Sequence, residues 1–159
     1  MNLWERDFAD SENVLEPLSA PARLKLAITA LDHALRTEPH PIEDREARQW
    51  IEGSIATGQA AVTEGATHVV LPADLDEQFE DLDESVEEYG VGQLMAGMMA
   101  CVDFESLSAE ALSNVLYACY TFTMMRQEPE PTTLEEEQAN PRCLETIAYH
   151  RELMNAATA

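Results

Sequence analysis

Residues 74–88 place nine carboxylates in one short stretch without a single basic side chain. Carboxylates at that density are candidates for holding a divalent cation. A calcium loop of the EF-hand type needs glycine at its sixth position and ligands on non-helical backbone. Counted from Asp74 the sixth residue is Phe79, and counted from Asp81 it is Val86. Neither register makes the turn. Di-iron helical bundles need inward Glu residues and a Glu-x-x-His pair, and the chain has no such pair. His150 stands five residues after Glu145 and two before Glu152, while His33, His40 and His68 are scattered. The expectation is no metal and no cofactor.

Cys143 and His150 are the nearest approach to a nucleophile and base. Seven residues of helix separate their Cα atoms by roughly 10 Å, too far for the direct hydrogen bond that activation requires. There is no Gly-x-Ser-x-Gly, no P-loop and no Gly-x-Gly-x-x-Gly. No residue is therefore assigned a catalytic role. Cys101, Cys119 and Cys143 are odd in number and set among apolar neighbours. They read as reduced core thiols of a cytoplasmic protein.

Two readings of binding remain. In the first, the acids form a docking face for a basic protein partner, carried by Asp76, Glu77, Glu80, Asp81, Asp83, Glu84, Glu87 and Glu88. A second acidic stretch, 127–137, is a lesser contributor. Such a face speeds association and selects the partner. The most concrete version is a bacterial immunity or inhibitor protein that occludes the cationic cleft of a toxic enzyme such as a nuclease. In the second reading the methionines matter. Met95, Met98, Met99, Met124, Met125 and Met154 are soft, adaptable side chains. An apolar small-molecule pocket would be lined by Trp50, Met95, Met98 and Tyr120.

The elements that must carry these residues are helices. Leu3, Trp4 and Phe8 mark a first helix closed before Pro17. Ser19 and Pro21 open a second that runs to Thr37, with Leu24, Ile28, Leu31 and Leu35 on one face. Pro41 suits the first position of a third, with Glu43 and Asp44 in its first turn and Ala47, Trp50, Ile51 and Ile55 as its buried stripe. Gly53 and Gly58 in that helix allow another helix to approach. His68–Pro72 reads as an extended connection. Asp74 and Glu77 resemble a capping box. Leu75, Phe79, Leu82 and Val86 then make an apolar keel under the carboxylates.

Leu94–Val102 reads as a short buried helix after Gly90 and Gly92. Ser108 caps a long helix with Leu112, Val115, Leu116, Cys119, Phe122 and Met125 on its core face. Residues 127–141 form an acidic, proline-containing connection with one helical turn at Leu134–Gln138. Asn140 and Pro141 open the last helix, with Cys143, Leu144, Ile147, Leu153 and Met154 inward. The expected architecture is one all-α domain over 1–159, a bundle of about six helices with no significant sheet.

The bulk numbers set the outer limits. The 159 residues include 31 acidic and 9 basic side chains, for a net charge of −22. Phosphates repel such a chain, so neither direct nucleic-acid binding nor an anionic membrane surface is expected. At 45% hydrophobic residues it is too apolar for a disordered acidic tail. No apolar run approaches the roughly 20 residues that span a bilayer, and Met1–Glu12 lacks the apolar core of a signal peptide. The charge is uneven: residues 74–88 and 127–141 together carry fourteen of the excess negative charges, while 21–36 is +2.

Overall fold

The computed structural model describes residues 1–159 as nine helices with no strand. They are α1 (Leu3–Asp7), α2 (Ser11–Leu15), α3 (Ala20–Thr37), α4 (Arg45–Thr63), α5 (Ala73–Ser85), α6 (Val91–Asp103), α7 (Ala109–Met125), α8 (Leu134–Ala139) and α9 (Pro141–Thr158). The chain is thus an all-α single domain, with more helices than the six expected. Six of the nine are long. The other three have five or six residues each. No helix is long and apolar enough to cross a membrane.

The α7 helix is the hub, packed against α6, α3, α2 and α9. Its core face carries Leu112, Val115, Leu116, Cys119, Tyr120 and Phe122, all buried. One continuous apolar cluster runs from Leu3 to Met154 and joins every helix of the bundle except α8 through fully buried apolar residues. The three cysteines are unpaired and buried within it.

Local chemistry explains most boundaries. The Ser19, Ser108 and Asn140 side chains cap α3, α7 and α9 by accepting first-turn amides. The proline in the first turn of α3 and that of α9 need no amide bond there.

Four expectations are corrected. The N-terminal apolar patch is two short helices. A reciprocal Asn2–Glu5 capping box starts α1, and the chain leaves the helix at Phe8 before α2 begins. The α4 helix starts at Arg45 rather than Pro41, because the Asp44 carboxylate accepts the Ala47 amide and makes Asp44 the cap. Pro72, not Asp74, precedes α5, which has no side-chain cap. On α9 the inward row is Cys143, Ile147, His150 and Met154, while Leu144 is exposed. Steps of four, three and four residues keep one helical face, and Leu144 lies about 100° from it.

Two close approaches hold the packing. A side chain at Gly58 would meet Ile28 Cδ1 at 2.5 Å, so α4 lies tight against α3 there. Gly90 has φ of +81° and caps α6, where a Cβ would stand 2.8 Å from the Phe122 carbonyl oxygen. Left-handed backbone and contact with backbone both select glycine. Gly90→Ala should lose about 2–3 kcal/mol in urea unfolding; a loss below a few tenths would mean the loop relaxes freely.

His150 is buried at the other end, where its Nδ1 accepts the Trp4 indole N–H at 3.0 Å. Burial, helped by the His33 charge, pushes its pKa down to about 3. The folded histidine stays neutral while the unfolded one takes a proton near pH 6.5. Stability from this group is therefore complete above pH 6.5 and lost as pH falls toward 3. Between pH 6.5 and 4 the loss should be roughly 3 kcal/mol. His150→Gln should flatten this part of the pH–stability curve, and superimposable curves would refute the assignment.

Candidate functional site

The acidic segment is a helix with a defined inner and outer side. Leu82 is buried and Leu75, Phe79 and Val86 are half-buried. This keel rests chiefly on α4. Trp50, fully buried in α4, donates its indole N–H to the Leu75 carbonyl at 2.8 Å, and its ring lies 5.3 Å from that of Phe79. Gly53 of α4 offers room beside the Leu75 side chain, where an added Cβ would sit at 3.4 Å. The N-terminal half of α5 is therefore fixed by one aromatic residue and a small one.

Beyond the C-terminal end of α5, Glu88 makes the anchor. Its carboxylate accepts the backbone amides of Glu43 at 3.0 Å and Asp44 at 2.8 Å. It also accepts Arg126 Nη1 at 2.8 Å. The Arg126 side chain is only 7% exposed. It donates further to the carbonyls of His40, Pro41 and Tyr89 and stacks near the Phe122 ring. Burial alone would raise the Glu88 pKa, but the Asp44 and Glu43 amides and the Arg126 guanidinium outweigh it and hold the carboxyl below its ordinary value. Glu88, expected on the docking face, is thus a structural anchor.

The other seven expected docking residues are all on the surface. Asp76, Glu77, Glu80, Asp81, Asp83, Glu84 and Glu87 are exposed, as is Asp74. None of them forms an ion pair within the chain. The first-turn acids suit the positive end of the helix dipole. Asp81, Asp83 and Glu84 sit near its negative end, where no basic residue balances them. Glu80 and Glu84, like Glu77 and Asp81, are four apart and repel across one turn.

The 127–137 stretch divides differently. Glu128, Glu130 and Glu135 are exposed. Glu136 accepts the Thr132 amide and hydroxyl. Glu137 is buried and accepts the Tyr120 hydroxyl at 2.6 Å and the Leu3 amide at 3.1 Å. It ties α8 to α7 and to the N-terminus and takes no part in a surface.

Trp50, Met95, Met98 and Tyr120, the proposed lining of an apolar pocket, are each fully buried. They fill the core, and the sizeable clefts at the surface have other linings. Burial and then the Glu137 hydrogen bond push the Tyr120 pKa upward, so its phenol stays protonated. Cys143 is likewise pushed up by burial, and His150 spends its Nδ1 on Trp4. The two form no nucleophile–base pair. No group of three or more His, Cys, Asp or Glu side chains is placed to hold a metal ion.

Sequence reasoning missed the Arg126 anchor. A signal was present: Arg126 is the only basic residue between Arg48 and Arg142. A lone cation in an acid-rich stretch invites the question of which carboxylate it neutralises. No family model, curated protein or solved structure matches the chain.

The anchor has a measurable weight. Arg126→Met should destabilise the fold by about 2–3 kcal/mol in chemical unfolding, since a half-buried carboxylate and several carbonyls lose a buried, charged donor. The Glu88 contribution is present above about pH 4.5, its unfolded value, and disappears as pH falls through its lower folded value. Glu88→Gln should remove that acid limb; an unchanged limb would show that other carboxylates set it.

Proposed function

We propose that the chain is a non-catalytic binding protein that engages a basic protein partner through the outer face of α5. The observation that carries this reading is a helix anchored near both ends whose seven exposed carboxylates, with Glu87 just beyond its end, lack any cation of their own. Asp74, Asp76, Glu77, Glu80, Asp81, Asp83, Glu84 and Glu87 stand unpaired. Solubility alone asks for a surface charge well away from zero. It does not ask for that charge to crowd one helix up to the end where the dipole opposes it. A face that is electrostatically uncomfortable alone becomes favourable when Arg and Lys side chains cover it.

Fixed geometry adds to this. Side chains on a pinned helix lose less conformational freedom on binding than those of a mobile acidic loop. Glu128, Glu130 and Glu135 extend the anionic surface elsewhere on the chain. The most concrete version remains a cytoplasmic bacterial immunity or inhibitor protein. Its carboxylates would occupy the cationic cleft of a toxic enzyme and exclude the substrate. The small-ligand reading through Trp50, Met95, Met98 and Tyr120 has less support, because those side chains pack against one another's neighbours in the core.

The test is a fourfold reversal, Glu80→Lys, Asp83→Lys, Glu84→Lys and Glu87→Lys, compared with the unaltered chain as bait in source-cell lysate. The unaltered chain should retain a basic protein at about 0.05 M salt and release it near 0.5 M, where screening is strong. The variant should lose at least about tenfold of that retention. Its helicity should persist and its melting temperature should not fall, because the new lysines stand three or four residues from Asp76, Glu77 and Asp81, each such pair being worth about 0.2–0.5 kcal/mol, and suit the negative end of the helix dipole. Equal retention by both chains would overturn the mechanism.

A further inference from the structure

A second feature lies away from α5, on another face of α4. The C-terminal half of α3 and the middle of α4 enclose a cleft of about 440 Å³. That volume falls within the range of small-molecule sites. Leu35, Ile42, Ile55 and Phe122 supply apolar walls and floor. Glu38 also lines it, and Glu38 is the unusual member. It is only 8% exposed. Its Oε1 accepts the His40 amide at 3.3 Å, but its Oε2 is buried and has no partner at all.

An unsatisfied buried acceptor costs about 1–3 kcal/mol, and more when it carries charge. Folding alone leaves that cost standing. The other charges around the cleft do not remove it. Arg36 pairs with Asp32, and neither Arg36 nor Arg48 reaches Glu38. Arg48 forms no ion pair within the chain and stands one turn from exposed Glu52 on α4. Glu38 is also the residue that ends α3, an 18-residue helix. The negative end of the helix dipole therefore faces the same place as the orphaned oxygen. Apolar walls, an unpartnered carboxylate oxygen and a helix C-terminus together suit a cation with an apolar body.

We propose that the α3–α4 cleft binds a small organic ammonium ion, with its apolar body on Leu35, Ile42 and Ile55 and its N–H groups donating to the Glu38 carboxylate, whose closed-off Oε2 turns toward the cleft to meet them. An ammonium brings three donors and no acceptor. A neutral alcohol of the same shape brings one donor and no charge, and an organic anion meets repulsion. The site does not depend on the docking face of α5, and each can fail without the other.

Phenethylammonium is a suitable probe, followed by amide chemical shifts of the whole chain in constant salt. Saturable shifts should appear around Leu35, Glu38, Ile42 and Ile55. Phenethyl alcohol should bind at least about tenfold more weakly, the factor that corresponds to one charge-assisted hydrogen bond. Glu38→Gln should lose a similar factor. Ala56→Phe, a change at a solvent-facing position of the cleft lining that leaves Glu38 intact, should block binding by filling the space. The fourfold α5 reversal should bind the probe as the unaltered chain does. Shifts confined to the α5 acids, equal response to the alcohol, or unchanged binding by Glu38→Gln would each overturn the proposal.

Discussion

The ion pair between Arg126 and Glu88 is the constraint on which the outer surface depends. It joins the end of α7, the exit of α5 and the segment leading into α4, three places far apart in sequence. Removing two charges from water is unfavourable unless further hydrogen bonds compensate. Here the compensation is nearly complete: two backbone amides complete the carboxylate, and three carbonyls take up the guanidinium. The Arg126 Nε alone is left without a partner. The same contacts pin the amides of Glu43 and Asp44 outside the helix, and α4 begins at Arg45, after the Asp44 cap, and not at Pro41. A single pair thus ties the entry to α4, the exit of α5 and the end of α7 together beside the acidic face.

That pair also clarifies the charge distribution. With 31 acids and only 9 bases, most carboxylates must go unpaired. Some of the bases tie elements together. Arg23 donates to the carbonyls of Leu15 and Leu107, and Arg142 reaches Thr37 while pairing with Glu145. The α5 helix receives none. Its carboxylates are held apart only by solvent and screening ions, while its inner side is locked by Trp50 and Leu82. Stability and charge therefore reside on opposite sides of one helix, which allows the outer side to change without loss of the inner one.

Much of the fold is legible in the residues for local reasons. Capping side chains and early prolines mark α3, α7 and α9, because a helix end has amides that only nearby groups can satisfy. The Leu75-Phe79-Leu82-Val86 keel marks α5 through its period. The extended piece before Pro72 also holds, and Val69 donates to the Cys101 carbonyl there. Errors cluster where a distant residue decides. Leu144 looks as apolar as Ile147, yet His150 occupies the inward row because Trp4 supplies its hydrogen bond. Glu137 looks like another surface acid, yet Tyr120 and Leu3 draw it inside. Trp50 looks like a pocket wall, yet its indole holds the backbone of α5.

By itself, then, the sequence determined an all-α chain, its long helices and the concentration of charge on one of them. Those properties follow from periodicity, capping and composition, which act over a few residues. The tertiary structure alone decided which acids are surface and which are anchors, and which apolar residues fill the core. It also decided that Glu38 keeps a buried oxygen without a donor beside a cleft. The reason is physical: burial and hydrogen bonding of a polar group are settled by partners tens of residues away. Their desolvation makes each such partner matter more than any local preference.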